Sequence, residues 1–109
     1  LDPGHLAVEG EEFAVGAAIV RKWLSIVGLK DVLLTRADKN GHGTASKAWV
    51  EAGTGVVDWT DVFSELTRIG FDGPLSVHSE FKVPEDELMP AMKRDVAFFK
   101  RFRDQAVAS

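Results

Sequence analysis

Residues Asp58–Phe81 read DWTDVFSELTRIGFDGPLSVHSEF, and this stretch decides the fold class. Asp58 is a good N-cap, and Asp61 adds a carboxylate at the positive end of a helix. Val62, Phe63, Leu66 and Ile69 share one helical face, and Gly70 is a stop signal. Phe71-Asp72-Gly73-Pro74 is turn chemistry, so Leu75 to Phe81 follows as a strand. Helix, short turn and strand together are the unit from which parallel α/β sheets are built.

The flanking sequence extends this pattern. Upstream, Phe13, Ala17, Val20, Leu24 and Val27 form an apolar stripe that predicts one helix over 11–27, ended by Gly28. Asp31 to Thr35 has the length and composition of a buried strand. Gly41 to Gly55 holds four glycines among polar residues and is expected to be a long loop. Downstream, a last helix is expected from Pro90, at its first position, to about Arg103, with Met92, Phe99 and Phe102 inside. Alternation of this kind predicts parallel strands joined by right-handed crossovers. About three strands leave two unpaired edges and an open apolar face. Either further residues complete the sheet or another copy of the chain pairs with it, which points to a homo-oligomer. The chain opens on Leu1 and runs at once into a polar motif, so an upstream region is expected. The fold class expected is therefore α/β with parallel strands, with residues 1–109 forming one partial domain.

The 109 residues carry a net charge of -4, which disfavours nucleic acid because phosphate binding needs a basic surface. Lys100, Arg101 and Arg103 form the one basic cluster and read as a solvated helix face. The absence of cysteine excludes disulfides and thiolate chemistry and fits a cytoplasmic location. No apolar run approaches the ~20 residues that span a bilayer, so no membrane association is expected.

In α/β folds chemistry gathers where strands end. Three places qualify: Asp2 with His5, then Thr35, Arg36 and Asp38, and finally His78 with Glu80. Ser76, His78 and Glu80 share one strand face, opposite Leu75, Val77 and Phe81. Such a polar face points into a barrel mouth; the alternative is an exposed edge strand. Asp2 and His5 suit a divalent cation or a ligand oxygen, or else a capped turn with a surface histidine. Lys39 and Lys47 suit a phosphate or carboxylate, or else solvent. Trp23 and Trp59 read as packing residues, and Trp49 as the wall of a pocket.

Taken in order, these segments resemble the sugar phosphate isomerase/epimerase family, which has the xylose isomerase-like TIM barrel fold, and the resemblance implies that the chain is the C-terminal portion, about three βα units, of a (β/α)8 barrel. Asp2-Pro-Gly-His5 with Glu9-Gly10 is similar to its "D-x-G-H…EG" segment. Thr35-Arg-Ala-Asp38-Lys39 resembles its "H-x-K-D" strand end. Gly53-Thr-Gly55-Val-Val-Asp58 and Gly70-Phe-Asp-Gly73-Pro74 resemble "G-x-G-x-[IV]-D…G-[YF]-x-G-P". The resemblance implies a divalent metal (Mn or Mg) that holds a small sugar-like substrate, while carboxylates move a proton beside its carbonyl. Position by position it implies Asp2 as a metal ligand and His5 as a substrate-binding residue, joined by Lys39. It also sets Thr35 at the family's ligand histidine. His78 stands at its final glutamate and keeps a metal-binding role, with Glu80 taking over as the catalytic carboxylate. The alternative is a non-catalytic sugar-binding member with a degenerate metal site. A repair nuclease of the same fold needs a His- and Glu-rich three-metal cluster and a basic groove, neither of which this sequence shows.

Overall fold

The structure is a computed structural model that describes residues 1–108 and the side chains of 1–105. Ser109, the last residue of the expected domain, lies outside the described residues. Chain order gives helix α1 (Pro3–Val8), helix α2 (Phe13–Val20), a 3-10 turn (Arg21–Trp23), strand β1 (Val27–Leu29), strands β2 (Asp31–Lys39) and β3 (His42–Val50), helix α3 (Trp59–Arg68), strand β4 (Leu75–Val77) and helix α4 (Glu85–Ala108).

Strands β1 and β4 pair in parallel, with Gly28 opposite Ser76 and Leu29 opposite Val77. Leu1 lies along the other side of β1. Its amino group donates to the Ile26 carbonyl, and Gly28 N–H donates to the Leu1 carbonyl at 2.9 Å. Three chain segments therefore run side by side, and their ends meet. Val27 and Leu29, both fully buried, face Phe13, Ala17, Trp59, Val62, Phe63, Leu66 and Phe99 of the helices. Alternation turns Gly28, Lys30, Ser76 and His78 to the opposite face. This is the expected division into an apolar, helix-covered face and a polar face.

Helix α3 forms as its local signals dictate. The Asp58 carboxylate caps it by accepting from Asp61 N–H. At the other end Gly70 takes a positive φ of 68°. Phe71 N–H then reaches the Leu66 carbonyl, and Gly70 N–H reaches that of Thr67. This pair of bonds is the Schellman closure.

Several expectations are corrected. The helix over 11–27 stops at Val20, and Val27 and Gly28 belong to a strand. The glycine-containing loop over 41–55 is mostly strand β3. It forms an antiparallel hairpin with β2 in which Lys39 faces His42. The two-residue turn has positive φ at Asn40 (53°) and Gly41 (78°), the geometry Asn-Gly favours because both residues tolerate the left-handed region. The strand at 31–35 therefore belongs to this hairpin and not to the parallel pair. The strand expected to reach Phe81 ends at Val77. Helix α4 begins at Glu85, where Glu85, Asp86 and Glu87 complement the helix dipole, and Pro90 lies inside it. Only one turn precedes Pro90, so the helix loses a single backbone bond there. Met92 is exposed, and so is Trp23, at 76%. Both were expected to pack.

Candidate functional site

The three strand ends carry Asp2, Lys30, and the pair His78 and Glu80. Asp2 caps α1: its Oδ1 accepts from Gly4 N–H at 2.8 Å and from His5 N–H at 3.2 Å. Its Oδ2 stands 3.7 Å from the Lys30 ammonium. Lys30 follows β1 directly, is only 6% exposed, and donates to Glu80 Oε2 at 2.9 Å. His78 follows β4. Its Nε2 pairs with Ser76 Oγ at 3.1 Å, and its Nδ1 stands 3.9 Å from Glu80 Oε1.

Lys30 organises this group. A buried ammonium is costly unless it is paired. Here two carboxylates meet it, and the Trp49 ring lies 4.3 Å away, within cation–π range. Trp49 projects from β3 and also meets the His5 ring edge-on, with centroids 4.9 Å apart. It walls the site as expected, although from a strand and not a loop. The Lys30 hydrogen bond holds the Glu80 carboxyl below the usual carboxylate range. Desolvation opposes this, while the charges of Lys30, His78 and His5 add to it.

The structure thus brings together Asp2, His5, His78 and Glu80. It does not bring Lys39 to them. Lys39 is exposed at the hairpin tip, eight residues beyond Asp31, or roughly 26 Å at the rise of a strand. Thr35, Arg36 and Asp38 do not end a parallel strand either. They lie on β2, where Arg36 and Asp38 form an exposed ion pair. His42 is exposed on the same hairpin. The parallel strand end is instead Gly28-Leu29-Lys30-Asp31, which fits "H-x-K-D" with glycine in place of histidine. The motif therefore lies seven residues before the place assigned to it. Gly28 stands in the middle of the group: a Cβ there meets His78 Cε1 at 3.2 Å and Asp2 Oδ2 at 3.4 Å.

Lys30 and Asp31 were both missed. Asp31 is 1% exposed and works beneath the site. Its Oδ1 accepts from the N–H groups of Val32 and Val57. Its Oδ2 accepts from those of Gly53 and Gly55 and from Trp59 Nε1. The carboxylate thereby gathers the segment between β3 and α3 around the root of β2. The adjacent Lys-Asp pair at a strand end was the signal for both residues.

The donor set does not fit a divalent ion in this arrangement. Among the described residues no three His, Asp or Glu side chains are grouped to hold one. Asp2 Oδ1 is committed to α1, Glu80 Oε2 to Lys30, and His78 Nε2 to Ser76. Gly28 adds no ligand. The arrangement instead offers carboxylates, an imidazole, a buried ammonium and an indole face to a polar, oxygen-rich ligand. Among the described residues no helix is long and apolar enough to cross a membrane.

The curated proteins include no match to this chain. A protein-family model does match it, over residues 1–102, and on that span the chain belongs to the xylose isomerase-like TIM barrel family.

Proposed function

We propose that this chain is part of an isomerase- or epimerase-like enzyme that moves a proton beside the carbonyl of a sugar or related polyol. One observation carries the reading: Asp2, Lys30, His78 and Glu80, from three separate strand ends, converge on the polar face of the sheet. Strand ends are where catalytic groups of barrels gather.

In this reading the ligand's carbonyl oxygen takes a hydrogen bond from Lys30. The ammonium stabilises negative charge that develops on that oxygen as the neighbouring C–H proton leaves. Glu80 accepts the proton. Its bond to Lys30 makes it a weak base in the free protein, and a ligand oxygen that competes for the ammonium raises its basicity when the base is needed. Return of the proton by Glu80 to the former carbonyl carbon, with the hydroxyl proton passing between the two enediolate oxygens, isomerises the sugar; epimerisation takes a second acid on the opposite face of the enediolate. His78 hydrogen-bonds a neighbouring hydroxyl, while Trp49 and His5 close one side.

The test is exchange of solvent deuterium into the carbon-bound positions next to the carbonyl, followed by proton NMR over a panel of ketoses and ketose phosphates. Glu80→Gln is expected to slow exchange by ~100-fold or more, the usual worth of a general base, while ligand binding persists. Exchange unchanged in Glu80→Gln rejects Glu80 as the base.

A second reading, sugar binding without turnover, draws on Gly28 and His78, which stand where the family pattern has a histidine and a glutamate. It predicts saturable sugar binding by calorimetry with no exchange in any substrate of the panel.

A further inference from the structure

We propose that the Lys30 ammonium is the resident cation of this site, and that the site works on its polyhydroxylated carbonyl ligand without a divalent metal. The role given to the ligand rests on the proposed function above; the absence of a metal requirement rests on the donor set alone.

The charge already in the site is the first argument. Asp2 and Glu80 are the two carboxylates that face one another across the strand ends, and Lys30 lies between them, 3.7 Å from one and 2.9 Å from the other. The Lys30 side chain is 6% exposed. The Trp49 ring lies 4.3 Å from its ammonium on one side. The ammonium is therefore held, with no room to swing out into water as a surface lysine does. A divalent ion placed between the same carboxylates meets this fixed positive charge at short range.

The second argument is the missing donor. Gly28 occupies the central strand between Asp2 and His78, at a position from which a side chain would project toward both. A glycine there gives a metal nothing to bind, and the packing of His78 and Asp2 against it leaves no room for a ligating side chain. A single positive charge with N–H donors is sufficient to polarise a carbonyl. It also tolerates a ligand that itself carries negative charge, because ammonium and anion pair directly.

The deciding experiment is titration of the chelator-treated, dialysed protein with Mn2+ alone, read by the EPR signal of the free ion. The wild type is expected to take up no stoichiometric Mn2+ at micromolar concentrations. Lys30→Met frees both carboxylates and is expected to bind Mn2+ at least ~10-fold more tightly, the scale on which neighbouring groups tune metal sites. One Mn2+ per chain bound by the wild type at micromolar concentration overturns the proposal, and so does a folded Lys30→Met with unchanged affinity. Circular dichroism reports whether that variant folds, and if it does not, the wild-type titration decides alone. Deuterium exchange adds a separate readout. Exchange that persists in EDTA supports the proposal, and exchange lost in EDTA and restored by Mn2+ overturns it. If no sugar exchanges at all, the proposed function fails while the Mn2+ titration still judges the cation.

Discussion

Replacement of Asp31 by asparagine isolates the polar worth of one buried carboxylate, because volume and shape are kept and no cavity forms. Asp31 accepts five N–H groups, two at Oδ1 and three at Oδ2. An asparagine must put its NH2 at one of these positions. The better choice faces the amides of Val32 and Val57, and it leaves two donors pointing at a third. Each buried donor that loses its acceptor costs about 1–3 kcal/mol, so the loss is about 2–6 kcal/mol. Loss of the negative charge also weakens the remaining three bonds, since charged acceptors bind N–H groups more strongly. We expect about 3 kcal/mol or more, a large part of the ~5–15 kcal/mol that holds a domain together. Urea unfolding followed by circular dichroism and tryptophan fluorescence measures it. The Trp59 indole keeps an oxygen partner but exchanges a charged acceptor for a neutral one, so its emission reports on the folded variant as well as on global unfolding. A loss below about 1 kcal/mol refutes the view that these five bonds organise the segment between β3 and α3.

Other substitutions probe the same framework from different sides. Gly55→Ala drives a Cβ into the Val32 carbonyl and Asp31 Oδ1; an overpacking loss of about 1–3 kcal/mol is expected, less than additive with Asp31→Asn because both disturb one contact. Asp95 is 2% exposed, accepts from Ala52 N–H and Ser79 Oγ, and has its carboxyl pushed up by burial despite those bonds. A raised pKa in the folded state favours folding below the ordinary aspartate range and loses that benefit as pH climbs through the folded value. Asp95→Asn keeps both hydrogen bonds without a charge, so it should match or exceed wild-type stability at neutral pH and lose the advantage below pH 3.8; melting curves across pH decide, and a clear drop at pH 7 contradicts this. Trp49→Leu removes the ring over Lys30 and His5 and is expected to weaken sugar binding by ~10-fold with little change in melting temperature; calorimetry checks the first and circular dichroism the second.

What the sequence disclosed follows the range of the forces involved. Helix α3 was legible because its cap, apolar face and glycine stop act within a few residues. The polar face of Ser76 and His78 was legible because strand alternation is a local rule, whereas Glu80 lies beyond the end of β4 and joins the group through Lys30. Strand β1 was not, since Val20, Leu24 and Val27 keep helical spacing and only the pairing with β4 makes Val27 a strand residue. The hairpin was hidden for a different reason. Most residues of β2 and β3 are exposed, so no alternation of apolar side chains marks them. Asn40-Gly41 was the signal available, and it lay inside a stretch whose glycines suggested a loop. Lys30 was the costliest omission. A charged residue after a short apolar run looks like a solvated strand end, and beyond the adjacent Lys-Asp pair nothing local marks Lys30 as the point on which Asp2 and Glu80 converge from 28 and 50 residues away.

Lys30 and Asp31 are adjacent, yet they serve opposite sides of the sheet. Asp31 draws backbone and indole N–H groups inward beneath the hairpin, while Lys30 points its charge to the polar face. The kink that separates β1 from β2 falls at this pair, and it lets one short stretch anchor the fold and arm the site. The coupling follows from the chain. The Lys30 carbonyl lies under α1, where even a Cβ on Gly4 comes within 2.7 Å of it. A shift of the Asp31 carboxylate therefore moves Lys30 relative to Asp2, whose position is set by the same helix. On this argument Asp31→Asn disturbs the Lys30–Glu80 ion pair without touching it, and a substitution at Lys30 leaves the Asp31 bonds intact. The fold thus constrains the site more tightly than the site constrains the fold.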